Sequence, residues 1–348
     1  FNTGIDADLV WIKASSKTSD WSVVDTVRGG SRRIELNTDA AEILDTNNNG
    51  VHIGNTRLNL GTTGDVNTSG SQYAAYLWKA GGSNGKYNYE GQGFNTAAEM
   101  LAATGVDVTN GVITPTKCSI SRKAGFGIYT YTGDGSTRTI AHGLDIGAFH
   151  PNEGGKGVCI ITKRLETTRS WHIAFGDIGG TGAGNAGSSN NLAYAGINQF
   201  TSAFDTGNSG RANITPDGRF FHVDANTGSY VAYIWKEVEG FSRIGVYYGN
   251  NSTSDSFVHC GFRPAFVMWR KVNSGENWRI IDSARSPGNT KTYQIFPGQT
   301  FAQSDEGGME FFFNGFALRS NDGNTNDPTA YVFMAFAESP MKYATAGH

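Results

Sequence analysis

Three stretches of this chain spell nearly the same phrase: QYAAYLWKAGG at 72–82, SYVAYIWKE at 229–237 and AYVFMAFAE at 330–338. Self-similarity at a domain-sized period constrains a fold strongly, because each copy must bury the same surface in the same way. Alternate residues of a strand share a face. In the second copy Tyr230, Ala232 and Ile234 point one way, and Val231, Tyr233 and Trp235 the other. Both sets are apolar, and so are Tyr73/Ala75/Leu77 and Ala74/Tyr76/Trp78 in the first copy. A strand apolar on both faces is central, with its own core on one side and a loop, the next domain or another subunit on the other. The competing reading is an exposed aromatic platform for stacking sugars.

The phrase has company. Trp21, Trp171 and Trp278 each follow, by eight positions, a basic residue that ends an apolar run: Lys13, Lys163 and Arg270. The first Tyr of the phrase comes 52, 59 and 53 residues after that Trp. Polar turns VNTSG (66–70), ANTGS (225–229) and SNDGNTNDPT (320–329) lead into it. All seven Trp fall in these matched segments. The recurring Trp is either a core plug or a ligand-facing aromatic, and its presence in three diverged copies favours structure.

Short runs rich in β-branched and aromatic residues, separated by turns, make up nearly all of the chain. Its 47 Gly, 8 Pro and 38% hydrophobic residues fit that pattern. The expected fold is all-β: tandem antiparallel β-sandwich repeats, jelly-roll or lectin-like, with an incomplete N-terminal copy. The expected domains are a first repeat at 1–82, a linker at 83–124, a second repeat at 125–238 and a third at 239–348. Copies two and three open with GFGIYTYTGDGSTRTIAHGL (125–144) and GFSRIGVYYGNNSTSDSFVHCGF (240–262). Copy one starts at FNTGIDADLVWIK and lacks about two such strands. They are expected from upstream chain, a neighbouring subunit or the link, so the chain is not expected to be a stable monomer. In the link, GGSNGKYNYEGQG reads as loop. FNTAAEMLAATG (94–105) reads as the one short helix, capped by Asn95 or Thr96 and stopped by Gly105. A hairpin is expected around Asn110-Gly111.

Charge and motifs exclude several functions. The net charge is −3 with no basic block, so nucleic acid is not an expected partner. No apolar run is long enough to insert in a bilayer. Cys118, Cys159 and Cys260 match no metal, redox or disulfide spacing. The chain carries no nucleophile elbow, zinc-protease, P-loop or dinucleotide signature, and no catalytic residue is assigned. His142 and His259 end equivalent strands, where a ring nitrogen satisfying turn backbone is the expected role. DTNNNG (45–50) places Asp45, Asn47 and Asn49 at alternate positions before Gly50, the front half of a calcium loop. The acidic twelfth ligand is Thr56 instead, and NDGNTND (321–327) is similarly oxygen-rich. Calcium bound there would be structural, and ordinary Asn/Gly turns are the simpler account. No other cofactor is expected.

The residues Gly125–Gly135, Ile140–Leu144, Ile160–Arg164, Trp171 and Asn226–Lys236 together resemble a repeated β-domain of marine tailed-phage virion proteins. In copy one the matching residues are Leu9–Lys13, Trp21, Asn67–Gly70 and Tyr73–Gly82; the terminal FAESPMKYATA is also similar. Copy three departs furthest, with Phe336 in place of the strand Trp and no KAGG. The resemblance implies a tail-fibre, appendage or capsid-decoration protein on the virion surface, non-enzymatic, assembling with copies of itself and with other virion proteins. Host-surface glycan is the implied external ligand, met by variable loops such as 177–191. The other readings are a lectin-like glycan-binding module or polysaccharide depolymerase, and a pure assembly scaffold.

Overall fold

The computed structural model describes residues 4–47, 49–54, 57–105, 113–136, 138–146, 157–176, 193–196, 220–223, 226–254, 256–272 and 276–339. The fold is all-β, with one helix among the described residues. Unit one holds β1 (Leu9–Ala14), β2 (Ser22–Asp25), β3 (Arg32–Arg33), β4 (Ile43–Leu44), β5 (Val51–Gly54), β6 (Arg57–Leu60) and β7 (Tyr73–Trp78). The link holds β8 (Tyr87–Tyr89), β9 (Gln92–Phe94), α1 (Ala97–Thr104) and β10 (Lys117–Ser121). Unit two holds β11 (Phe126–Asp134), β12 (Arg138–Ala141), β13 (Val158–Arg164), β14 (His172–Gly176), β15 (Ala193–Gly196), β16 (Phe220–Val223) and β17 (Thr227–Lys236). Unit three holds β18 (Ser242–Tyr248), β19 (Ser256–His259), β20 (Pro264–Lys271), β21 (Arg279–Asp282), β22 (Thr290–Lys291), β23 (Gln294–Ile295), β24 (Met309–Phe312), β25 (Gly315–Leu318) and β26 (Ala330–Ala337).

The three spellings of the phrase are β7, β17 and β26, and each is the strand beside the one that carries the buried cation. The sheets run β2-β1-β7, then β14-β13-β17-β11 within an eight-stranded sheet, then β21-β20-β26-β18. Registers agree: Lys13 opposes Ala74, Lys163 opposes Val231, and Arg270 opposes Val332. The link departs from the loop reading. Tyr87 and its neighbours form the β8–β9 hairpin, and β8 pairs with β10, which extends the sheet of unit two. Burial of Tyr87 beside Cys118 and Ile120 holds these strands in place. The helix is capped as the sequence indicates: Thr96 accepts from Glu99 N, and Gly105 closes the end at φ 70°. Asn110-Gly111 and the loop 177–191 lie outside the described residues.

The two faces of each repeated strand pack in different cores. Tyr230, Ala232 and Ile234 pack in unit two's own core with Met100 and Leu101 of α1 and Phe221. Tyr331, Phe333 and Ala335 pack against Phe311, Phe316 and Leu318 of unit three's second sheet. In unit one Tyr73, Ala75 and Leu77 lie against Val51 and Leu58 of the β5–β6 hairpin. The opposite faces all meet in one shared core, which includes Trp11, Trp21, Trp78, Trp171, Trp235, Trp278, Met334 and Phe336. Trp78 lies 5.0 Å from Trp11 and 5.6 Å from Trp235, edge to face. The cover for each strand's second face is therefore the other units of the same chain.

Burial sets an alkaline limit on this core. It pushes Cys118 and Cys260 up to about 12 and Cys159 well above its usual range. It likewise raises the Tyr76, Tyr129, Tyr233 and Tyr247 hydroxyls well above 10. Those groups stay protonated in the fold while the unfolded chain ionises, so stability falls from about pH 9 and steeply above pH 10. Burial lowers Lys13 and Lys163 to about 8, and lysines act with the opposite sign between that value and 10.5. Stability is expected to peak near pH 9, where the thiols overtake the lysines. Urea midpoints at half-unit steps from pH 7.5 to 10.5 check this; a midpoint still rising above pH 10 contradicts it.

Candidate functional site

Two equivalent interfaces surround the shared core, and a groove opens beside one of them. At the first, unit one docks on unit three. Trp21 donates from Nε1 to Phe296 O at 2.9 Å, and Lys13 Nζ donates to Thr300 O at 2.9 Å. Ser19 N donates to the same Thr300 O, and Gln303 N donates to Ser15 O. At the second, unit two docks on unit one. Trp171 Nε1 donates to Glu35 O at 2.8 Å, and Lys163 Nζ to Asp39 O at 3.3 Å. Arg169 N donates to Asp39 O, and Glu42 N donates to Leu165 O. Each of the four bonds of one interface recurs at the equivalent positions of the other. The third junction, of unit three on unit two, includes a stacked Trp278–Phe175 pair at 5.8 Å.

A buried triad completes each of the two polar interfaces. Asp25 Oδ2 accepts from Arg28 Nε at 2.5 Å and from the Tyr233 hydroxyl at 2.7 Å, and Asp25 Oδ1 accepts from Arg28 N. Arg28 also reaches Glu42 Oε1 at 3.0 Å and Val23 O. Asp282 repeats this with Arg285 Nε at 2.6 Å and the Tyr76 hydroxyl at 2.8 Å, and Arg285 reaches Gln303 Oε1 and Ile280 O. Burial alone would lower the Arg28 guanidinium; Asp25, the Tyr233 hydroxyl and Glu42 outweigh it and raise it. The sequence carries the signal as Trp-x3-Asp-x2-Arg, Trp21 to Arg28 and Trp278 to Arg285, a spacing the sequence reading missed. Unit two has Phe175 where the other units have Asp, and Phe175 packs in the shared core.

The groove runs along β7. All six residues of that strand line it, with Phe241, Phe266 and Phe336 and the segment Asp282–Arg285 opposite, and it encloses about 470 Å³. Among the described residues β7 pairs with β1 alone, whereas β17 lies between β13 and β11 and β26 lies between β20 and β18. Tyr73, Ala75, Tyr76 and Leu77 are accordingly only half-buried, while Ala232, Tyr233 and Ile234 are fully buried.

The chain belongs to the DUF7483 family. The profile of this domain of unknown function matches residues 1–99 and 84–340. The longer match spans the link, unit two and unit three of the DUF7483 chain. No curated protein and no solved structure matches this DUF7483 chain.

The residues singled out from sequence have local roles. Asp45 accepts from Asn47 N, Asn49 N, Gly50 N and His52 Nε2, while Asn49 Oδ1 accepts from Thr62. Burial alone would raise the Asp45 carboxyl, and those four donors together outweigh it and hold the group below its usual range. Its oxygens thus tie the turn, and among the described residues no group of three His, Cys, Asp or Glu gathers as a metal set. In 321–327, Asp322 accepts from Asn324, Asn326 accepts from Asn250 N, and Asp327 pairs with Lys271. His142 Nδ1 accepts from Leu144 N within its own turn, and His259 is exposed in another unit.

Proposed function

We propose that this chain is a non-enzymatic structural protein of a tailed-phage virion surface, a rigid block on which peripheral loops meet a host. The observation that carries the reading is the use of the repeated residues. The recurring Trp and Lys, and the twice-repeated Asp and Arg, are spent on joining units into one body rather than on lining a reaction site. A single chain closed around a shared core keeps fixed geometry at low conformational cost, which suits a mechanical or adhesive part. The resemblance to marine tailed-phage β-domains, spread over most of the chain, supplies the location.

The test has two arms. Mass spectrometry of gradient-purified particles of a phage encoding the chain is expected to detect it among virion proteins; its absence from particles overturns the location. Fluorescently labelled protein is expected to bind cells of that phage's host saturably, in competition with surface polysaccharide, with and without calcium. Release of reducing ends from that polysaccharide overturns the non-enzymatic reading. Binding lost only when calcium is chelated assigns a role to Asp45 and its loop.

A further inference from the structure

We infer that the free edge of β7 is an acceptor site for one extended peptide strand. The occupant is a segment of the family's own opening-strand type, supplied from outside residues 1–348. The argument begins with register. Ser15 N bonds Gln72 O, and the pairing continues as Lys13–Ala74, Trp11–Tyr76 and Leu9–Trp78. The main-chain groups of residues 72, 74 and 76 therefore face β1, and those of Tyr73, Ala75 and Leu77 face the open side. At the equivalent positions, Tyr230, Ala232 and Ile234 oppose Tyr131, Tyr129 and Gly127 of β11. Tyr331, Phe333 and Ala335 oppose Tyr247, Gly245 and Arg243 of β18. Two units fill this edge with an antiparallel strand; in unit one, among the described residues, no strand faces it.

The groove also has the walls such a strand requires. Beside β11, Thr130 shares a cleft with Val27 and Arg28 of unit one. The groove along β7 is walled by Ala284 and Arg285 of unit three, the residues at the matching positions two and three beyond Asp282. At its floor, Trp78 meets Phe266 and Phe336 at 6.1 and 5.9 Å. Trp235, the counterpart of Trp78, is stacked at 4.8 Å by Phe126 of β11.

One further pairing specifies the guest. Tyr131 stacks on Tyr230 at 5.1 Å with 4° between planes, and Tyr247 stacks on Tyr331 at 4.8 Å with 3°. Tyr73 is held as Tyr331 is, its hydroxyl donating to the carbonyl of a turn glycine (Gly64 or Gly323) and accepting a turn N–H. The guest therefore carries the Ile-x-x-Tyr shared by Ile128–Tyr131 and Ile244–Tyr247, with the Ile over Tyr76 and the Tyr over Tyr73. Both strands of that type in residues 1–348 are already paired, β11 with β17 and β18 with β26. β7 has none of the usual devices that blunt an edge: no Pro, no charge and no bulge. Strand addition at an open edge takes affinity from main-chain bonds and specificity from alternate side-chain pockets.

The test uses the whole chain and fluorescein-labelled synthetic peptides spanning 125–132 and 241–248. Saturable binding at one site per chain is expected by anisotropy. N-methylation at Gly127 or Tyr129, whose N–H groups face the acceptor, is expected to weaken binding by about tenfold or more. N-methylation at Ile128 or Thr130, whose N–H groups face away, is expected to change it by less than about twofold. In the protein, Ala75→Pro removes an N–H from the open edge alone and is expected to abolish binding with an unchanged melting temperature. Should that variant fail to fold, the N-methyl peptides still decide the matter on unaltered protein. Absence of binding by both peptides, or equal loss from both methylation patterns, overturns the inference. So does a dimer that Ala75→Pro converts to monomer, because the edge is then taken by a second copy. None of these outcomes depends on a virion location, so this inference and the functional proposal fail separately.

Discussion

Asp25→Ala is expected to cost about 3–5 kcal/mol of folding free energy, because it strands a buried guanidinium. The side chains of Arg28 and Asp25 are 1% and 0% exposed, so water cannot replace the lost carboxylate. Glu42 remains at 3.0 Å but is itself shared with Arg32. The paired experiment is Asp282→Ala, which removes the same partner from Arg285, where exposures are 10% and 8%. That variant lies beside the groove, where solvent reaches the freed charge, and the expected loss is about 2 kcal/mol. Urea denaturation of both variants decides it. Equal losses at the two sites would show that burial is not what separates them. Tyr233→Phe keeps the ion pair and removes one charge-assisted hydrogen bond, for an expected loss of about 1.5–3 kcal/mol.

Trp171→Ala is expected to cost about 3–5 kcal/mol and to loosen unit two from unit one. The indole is fully buried in the shared core and bonds Glu35 O across the interface. Trp171→Phe separates the contributions: it keeps most of the volume, loses the bond to Glu35 O, and is expected to cost about 1–3 kcal/mol. Because all three units contribute to one core, the unaltered chain is expected to unfold in a single transition by both fluorescence and far-ultraviolet dichroism. Independent melting of unit three would contradict a shared core. In Trp171→Ala, hydrogen exchange is expected to quicken first at the Glu42 amide, which donates to Leu165 O across the same junction.

Local features were legible from sequence. The period-two pattern marks the strands, and Thr96 with Glu99 and Gly105 marks the helix and both its ends. The three spellings of one phrase give the copy number, and two apolar faces on one strand require two cores. The same comparison of copies leaves unit one about two opening strands short, and among the described residues no strand pairs with the outer edge of β7. The short strands of the link were not legible, because the Gly and Asn residues interleaved with Tyr87 and Tyr89 have weak strand preference and the segment pairs only where β10 offers an edge. The loop at 45–50 looked like a cation site because oxygen-bearing residues alternate there. Whether such oxygens converge outward or cap their own turn depends on backbone dihedrals, and Asp45 caps its turn.

The sequence by itself therefore determined the class of fold and the faces that must be buried, since each depends on residues within a strand or a turn. The tertiary structure alone decided what covers those faces. Tyr233 and Asp25 are 208 positions apart and Tyr76 and Asp282 are 206 apart, so no local pattern pairs them. They meet because unit two docks on unit one and unit one on unit three, an order set by the complementarity of whole sheets around one core. The same long-range geometry turns the recurring Trp into an inter-unit fastener and sets an aromatic groove along β7.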